Sequence, residues 1–168
     1  SMIRSPLDLK GKKVCYPAAT ALAACVMPQY FLFKNGLDIN KDIENLYVGS
    51  QESSIMNVYL GNVSAAGTWP VPWNLFKSTH PDEFNKLKIA WETETLPNLS
   101  VMSKQGIPDS TVAAIKKILL NIDKNERGKK ILYDVGTKGF LDGTNASYDV
   151  VQSYIAQFER DVRPIAAR

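Results

Sequence analysis

Between residues 12 and 67, short apolar runs alternate with longer helix-like ones, and this alternation leaves few folds open to the chain. The polar turn Asp8-Leu9-Lys10-Gly11-Lys12-Lys13 runs into Val14-Cys15-Tyr16, a short strand. Pro17 to Asn35 is rich in Ala and Leu and closes on Asn35-Gly36, a good helix stop. Pro28 falls inside that expected helix, where it removes one backbone donor and should bend it. After a polar stretch with Asp38, Asn40, Lys41 and Asp42, Leu46-Tyr47-Val48 reads as a second strand. Gly49-Ser50-Gln51-Glu52 then turns into a helix, with Ser50 placed to cap free amides and Glu52 suited to the positive end of the helix. That helix carries Ile55, Met56, Val58, Tyr59 and Leu60 and stops at Gly61-Asn62. The small-residue segment Val63-Ser64-Ala65-Ala66-Gly67 fits a third strand covered on both faces. Strand, helix, strand, helix, strand is the order of a mostly parallel sheet wrapped by crossover helices.

In open sheets of this kind the ligand crevice lies outside the carboxyl ends of the strands. Tyr16-Pro17-Ala18, Gly49-Ser50 and the segment Thr68 to Phe76, with its two indoles and two prolines, should therefore face one cleft. No acid occurs from Ser53 to Pro81 and no base from Gly49 to Phe76, so this region suits recognition by dipoles, hydroxyls and aromatic faces. Further on, Leu87 to Glu92 and Leu99 to Ser103 read as two strands around Leu96-Pro97-Asn98, placed to cross between lobes. Helices are expected over Pro108 to Asn121, Glu126 to Val135 and Ser147 to Arg160.

Composition excludes several classes. With 168 residues, 45% of them apolar, the chain can bury an ordinary core. Its formal charge of +3 is nearly balanced, and the lysine pairs at Lys12-Lys13, Lys116-Lys117 and Lys129-Lys130 are scattered among acids, unlike a nucleic-acid footprint. No apolar run approaches the roughly twenty residues of a membrane span. Ser1-Met2 reads as a vector-derived remnant, so a missing signal peptide carries no information. Cys15 and Cys25 are expected as buried free thiols on a strand and the following helix. His80, the one histidine, precedes a proline in a polar loop and is expected at the surface. One His and two separated Cys supply neither a catalytic triad nor a zinc site, and Gly-rich phosphate loops are absent, so no enzyme, metal or cofactor is expected.

Taken in order, Asp8 to Lys12, Tyr16-Pro17-Ala18-Ala19-Thr20-Ala21, Asn35 to Asp38, Tyr47-Val48-Gly49-Ser50-Gln51 and Gly61 to Gly67 closely resemble the phosphate, phosphite and phosphonate substrate-binding proteins of ABC transporters. The resemblance covers residues 3 to 105 and, more loosely, the helices beyond. It implies an α/β, type II periplasmic-binding fold: one nearly complete lobe over residues 1 to 90, hinge return strands over 91 to 105, and a helical segment over 106 to 168 belonging to an incomplete other lobe. It also implies apolar surface on Leu99 to Met102 and the later helices, inviting self-association.

The same resemblance places the ligand on Ala19, Thr20, Ala21, Ser50, Gln51, Thr68 and Trp69. Backbone amides and hydroxyls at the helix start matching Ala19-Thr20-Ala21 would hold the phosphonyl oxygens. Here two of the family's serines are alanine, leaving Thr20 as the only side-chain hydroxyl there. Gln51 stands where the family often has His, and the acids that hold amino groups near Ser64 and Thr68-Trp69 are missing, which argues against an aminoalkyl phosphonate. Trp69 is expected at the cleft and Trp73 in the core. The implied function is capture of a small anionic or polar solute outside the cytoplasmic membrane for an ABC permease, with a sensory domain fused to a signalling protein as the alternative.

Overall fold

Lys12–Tyr16 forms the central strand β1, and its last three residues, Val14, Cys15 and Tyr16, are all buried. Burial without alternation means that both faces are covered, as a parallel sheet requires. Two parallel neighbours flank it in the order β2-β1-β3: β2 at Ile43–Tyr47, from Lys12 opposite Ile43 to Tyr16 opposite Tyr47, and β3 at Ala65–Ala66, with Val14 opposite Ala65. The structure is a computed structural model that describes residues 3–165; the remnant read at Ser1-Met2 lies outside them. The chain divides into two units. One runs through Thr95 and resumes at Gln152; the other is Leu96–Val151. These boundaries differ from the expected divisions at 90 and 105, and they put most of the last helix with the sheet.

The sheet unit is built on Leu9, Val14, Tyr16, Cys25, Leu32, Leu37, Ile39 and Ile43, all buried, with Ile3, Phe31, Trp91 and Val162 packed around them. Burying each large side chain of this set contributes about 1.5–3 kcal/mol, so the core rests on residues from every segment between 9 and 43. The helix after β1 starts later than its sequence suggests. Pro17 to Ala21 leave the strand as an irregular turn, in which the Ala21 amide donates to the Ala18 carbonyl at 3.2 Å. One wide π turn, Leu22–Val26, then feeds α1, Met27–Lys34. Pro28 is the physical reason: it cannot donate to the Ala24 carbonyl and its ring crowds that oxygen, so the preceding turn widens. The expected bend is therefore a change of helical pitch at the start of α1.

α2, Gln51–Tyr59, begins at Ser50, whose hydroxyl accepts from the Ser53 amide at 3.0 Å. The chain turns into it at Gly49, whose φ of +84° other residues rarely adopt. The segment after β3, to which the sequence assigned no element, folds as α3, Pro70–Thr79, followed by the single turn α4, Pro81–Phe84. Both prolines of Trp69-Pro70-Val71-Pro72 fall in the first turn, where amides have no helical acceptor in any case. Phe76 buries the inner face of α3, and Trp73 packs on Phe84 at 4.7 Å, so the core position expected for Trp73 belongs to Phe76. His80 is not a free surface residue: it is half-buried, stacks on Phe76 at 4.7 Å and meets Thr79 Oγ1 through Nδ1 at 2.8 Å.

Neither expected strand at 87–92 or 99–103 forms, because no neighbouring strand among the described residues offers these segments a hydrogen-bonding edge. In the second unit, α5 spans Asp109–Leu119 and α6 spans Glu126–Asp134, the latter capped by Asn125 Oδ1 on the Gly128 amide at 2.9 Å. Lys116 pairs with Asp142 at 2.6 Å and the Tyr148 hydroxyl donates to the Asn98 carbonyl at 3.0 Å. Leu99, Val101, Met102, Ile115, Ile118 and Leu141 are exposed there, in line with the apolar surface expected on these segments. α7, Asp149–Asp161, returns the chain to the sheet unit, where Tyr154 and Phe158 meet the Tyr30 ring edge-to-face at 5.3 and 6.0 Å. The Tyr30 hydroxyl adds a hydrogen bond to Asp161 at 2.9 Å.

Candidate ligand site at the carboxyl edge of the sheet

Three parallel strands ending side by side bring distant residues together. Beyond β1 and β2, the Val48 amide donates to the Tyr16 carbonyl and the Gly49 amide to the Pro17 carbonyl, each at 2.9 Å. On the other side the Gly67 amide donates to the Cys15 carbonyl, also at 2.9 Å. The backbone thus places Ala19-Thr20-Ala21 after the middle strand, Ser50-Gln51 after one neighbour and Thr68-Trp69 after the other, all on one edge. Ser54, buried one turn into α2, ties this edge together: its hydroxyl lies 3.3 Å from the Gly67 carbonyl and 3.4 Å from that of Cys15. Cys15 Sγ in turn donates to the Ser54 carbonyl at 3.2 Å.

The predicted residues differ in what they have to offer. Thr20 is exposed, and among the described residues neither its amide nor its hydroxyl has a hydrogen-bond partner. Ala19 lies beside it in the turn, and Ala21 caps the helix, whose first amides project from its start. Gln51 Oε1 and Thr68 Oγ1 are both buried without a partner among the described residues, as is the Tyr16 hydroxyl. Orphaned buried polar atoms are costly, about 1–3 kcal/mol each, and two of these three fall on residues predicted for the site. Ser50 is different. Its hydroxyl accepts from Ser53 and donates to Ser53 Oγ at 2.9 Å, so it is committed to capping α2. Trp69 is half-buried in extended backbone at the start of α3.

Electrostatically the edge has dipoles and few ionisable groups. Burial raises the thiols of both free cysteines, Cys15 and, to about 11, Cys25, so both stay protonated at neutral pH. Burial likewise pushes the Tyr16 phenol far above its ordinary range. Two contributors escaped sequence reasoning. Ser54 had a signal, a small polar residue on the inward side of a capped helix; Arg163, whose Nη2 reaches the Ala19 carbonyl at 2.8 Å from the far end of the chain, had none.

A parallel α/β sheet flanked by helices, with amides, hydroxyls and an indole at its carboxyl edge, defines a lobe of the type II periplasmic-binding fold. Residues 1–148 match the family described as ABC transporter, phosphonate, periplasmic substrate-binding protein, and the chain belongs to that family. Among solved structures it is similar to a binding protein component of an ABC phosphonate transporter from Pseudomonas aeruginosa, with TM-score 0.83, 18% identity, and coverage of 96% of this chain and 55% of that one. It is also similar to PhnD1 from Prochlorococcus marinus in complex with methylphosphonate, with TM-score 0.76, 20% identity, and coverage of 95% and 61%. A third similar structure, from Xanthomonas citri and bound to ATP, gives TM-score 0.71, 20% identity, and coverage of 95% and 62%. At these identities the likeness is one of fold. The chain spans 55% to 62% of the length of those proteins.

Proposed function

We propose that the carboxyl edge of this sheet is one wall of a binding site for a small oxyanion of the phosphonate or phosphate kind, and that the protein delivers this solute outside the cytoplasmic membrane to an ABC permease. The observation that carries this reading is that two buried polar atoms with no partner among the described residues, Gln51 Oε1 and Thr68 Oγ1, follow strand ends on the same edge as the exposed amide and hydroxyl of Thr20. A tetrahedral oxyanion matches them. Its charged oxygens accept from the Thr20 amide and hydroxyl and from the helix start, while a protonated oxygen donates to Gln51 Oε1. Thr68 Oγ1 can serve either way. Membership of a substrate-binding family supports capture over catalysis, and the groups that meet the solute are amides and hydroxyls.

Isothermal titration of the protein with methylphosphonate, phosphite and inorganic phosphate, with acetate as the contrasting anion, tests the reading. Saturable binding of a tetrahedral anion is expected, and Thr20→Val should weaken it by about 1–3 kcal/mol through loss of the hydroxyl. Unchanged affinity in Thr20→Val removes that residue from the site. Absence of heat with every tetrahedral anion overturns the proposal.

A further inference from the structure

Arg163 follows α7, yet its guanidinium is held inside the sheet unit. Nε donates to Gln29 Oε1 at 2.9 Å, Nη1 to the Pro164 carbonyl at 3.0 Å and Nη2 to the Ala19 carbonyl at 2.8 Å, while Nη2 also lies 3.5 Å from Cys25 Sγ. Its planar face lies over the Phe158 ring, 5.2 Å from the centroid. Gln29 is fully buried and passes the arrangement on: its Nε2 donates to Asn45 Oδ1 at 2.9 Å, and Asn45 Nδ2 to the Ile39 carbonyl at 2.7 Å. Every partner of the guanidinium is neutral. Nearby acids are engaged elsewhere, Asp161 by Arg160 at 2.7 Å and by Tyr30, and Glu159 by the Ile165 amide at 3.1 Å. Among the described residues, then, Arg163 carries a positive charge that no carboxylate neutralises.

In a trans peptide the carbonyl and the following amide point in opposite directions, and no cis peptide occurs among the described residues. The Ala19 carbonyl, bonded to Arg163, and the unpartnered Thr20 amide are the two ends of one such unit. We propose that Arg163 is the positioning residue of the oxyanion site: it fixes the Ala19-Thr20 peptide from behind and lends its charge, through that peptide, to an anion on the opposite side. The inference rests on the function proposed above and sharpens it, because residues 16–21, 48–51 and 67–69 at this edge hold no Lys or Arg and Arg163 supplies the positive charge an anion would favour. A charged donor on the carbonyl polarises the peptide and strengthens the amide as a donor. The guanidinium also fixes the direction in which that amide points.

The test compares the protein with Arg163→Met, which keeps the methylenes over Phe158, and with Arg163→Lys, which keeps the charge but loses the planar fork. Methylphosphonate affinity is expected to fall at least tenfold in Arg163→Met and to recover in part in Arg163→Lys. In the ligand-free protein the amide proton of Thr20 should move upfield in Arg163→Met, a signature that a loss of packing elsewhere would not produce. Should Arg163→Met fail to fold, Arg163→Lys carries the comparison, with an intermediate loss and an intermediate shift expected. Wild-type affinity and an unmoved Thr20 amide in a folded variant overturn the role of Arg163 and leave the site standing. No binding of methylphosphonate or inorganic phosphate by the unmodified protein overturns the site itself, and the role with it.

Discussion

Gly67→Ala is expected to cost at least about 3 kcal/mol of stability, at or beyond the upper end for overpacking. A methyl group at this position would overlap the Ala24 carbonyl oxygen and press on Tyr16 Cδ1 at 2.8 Å. Neither neighbour can give way. The Tyr16 ring is fully buried, and the Ala24 carbonyl belongs to the π turn that Pro28 imposes. Gly67 is therefore required by space, at the point where β3 passes against the start of the helix that follows β1. For a chain of this size each kcal/mol lowers the melting temperature by roughly 2–4 °C, so a drop of about 6–12 °C is expected in calorimetry. A variant that melts with the wild type would show that β3 and the helix start do not meet as described.

Phe158→Ala should destabilise the protein by about 3–5 kcal/mol, the usual cost of emptying an aromatic site in a core. Phe158 is fully buried, edge-on to Tyr30 and beneath the Arg163 guanidinium, so its loss opens a cavity and removes the platform of that cation. Chemical denaturation should show a lower midpoint. Because Arg163 reaches the Ala19 carbonyl, the variant should also bind methylphosphonate more weakly while it remains folded. Tyr154→Ala on the same helix is a useful contrast: Tyr154 meets Tyr30, but the guanidinium lies over Phe158.

Much of the sheet unit was legible because its signals are local. Val14-Cys15-Tyr16 is apolar and brief, Asn35-Gly36 stops a helix, and Ser50 with Glu52 opens one; each became the element its residues favour. Once three strands run parallel their carboxyl ends must share an edge, which is why Tyr16-Pro17-Ala18, Gly49-Ser50 and Thr68 could be grouped from sequence although up to 52 positions separate them. The failures are equally physical. Trp69-Pro70-Val71-Pro72 announces no helix because prolines usually break one, yet a helix tolerates both in its first turn. Leu99 to Ser103 has the composition of a strand, but a strand exists only through a partner, and partnership is not written in the segment itself. Arg163 was invisible for the strongest reason: its bond to Ala19 joins residues 144 positions apart, with no periodicity or motif to announce it.

Binding as proposed requires the polar groups of Thr20, Gln51 and Thr68 at the strand ends to meet one small anion. Amide chemical shifts of the ¹⁵N-labelled protein, followed as methylphosphonate is added, test this most directly. The backbone signals of Thr20, Ala21 and Thr68 and the side-chain amide of Gln51 are predicted to move together along one saturable curve, while Gly128 at the start of α6 stays in place. Saturable shifts confined to other parts of the protein, or no saturable shift at all, would contradict the account.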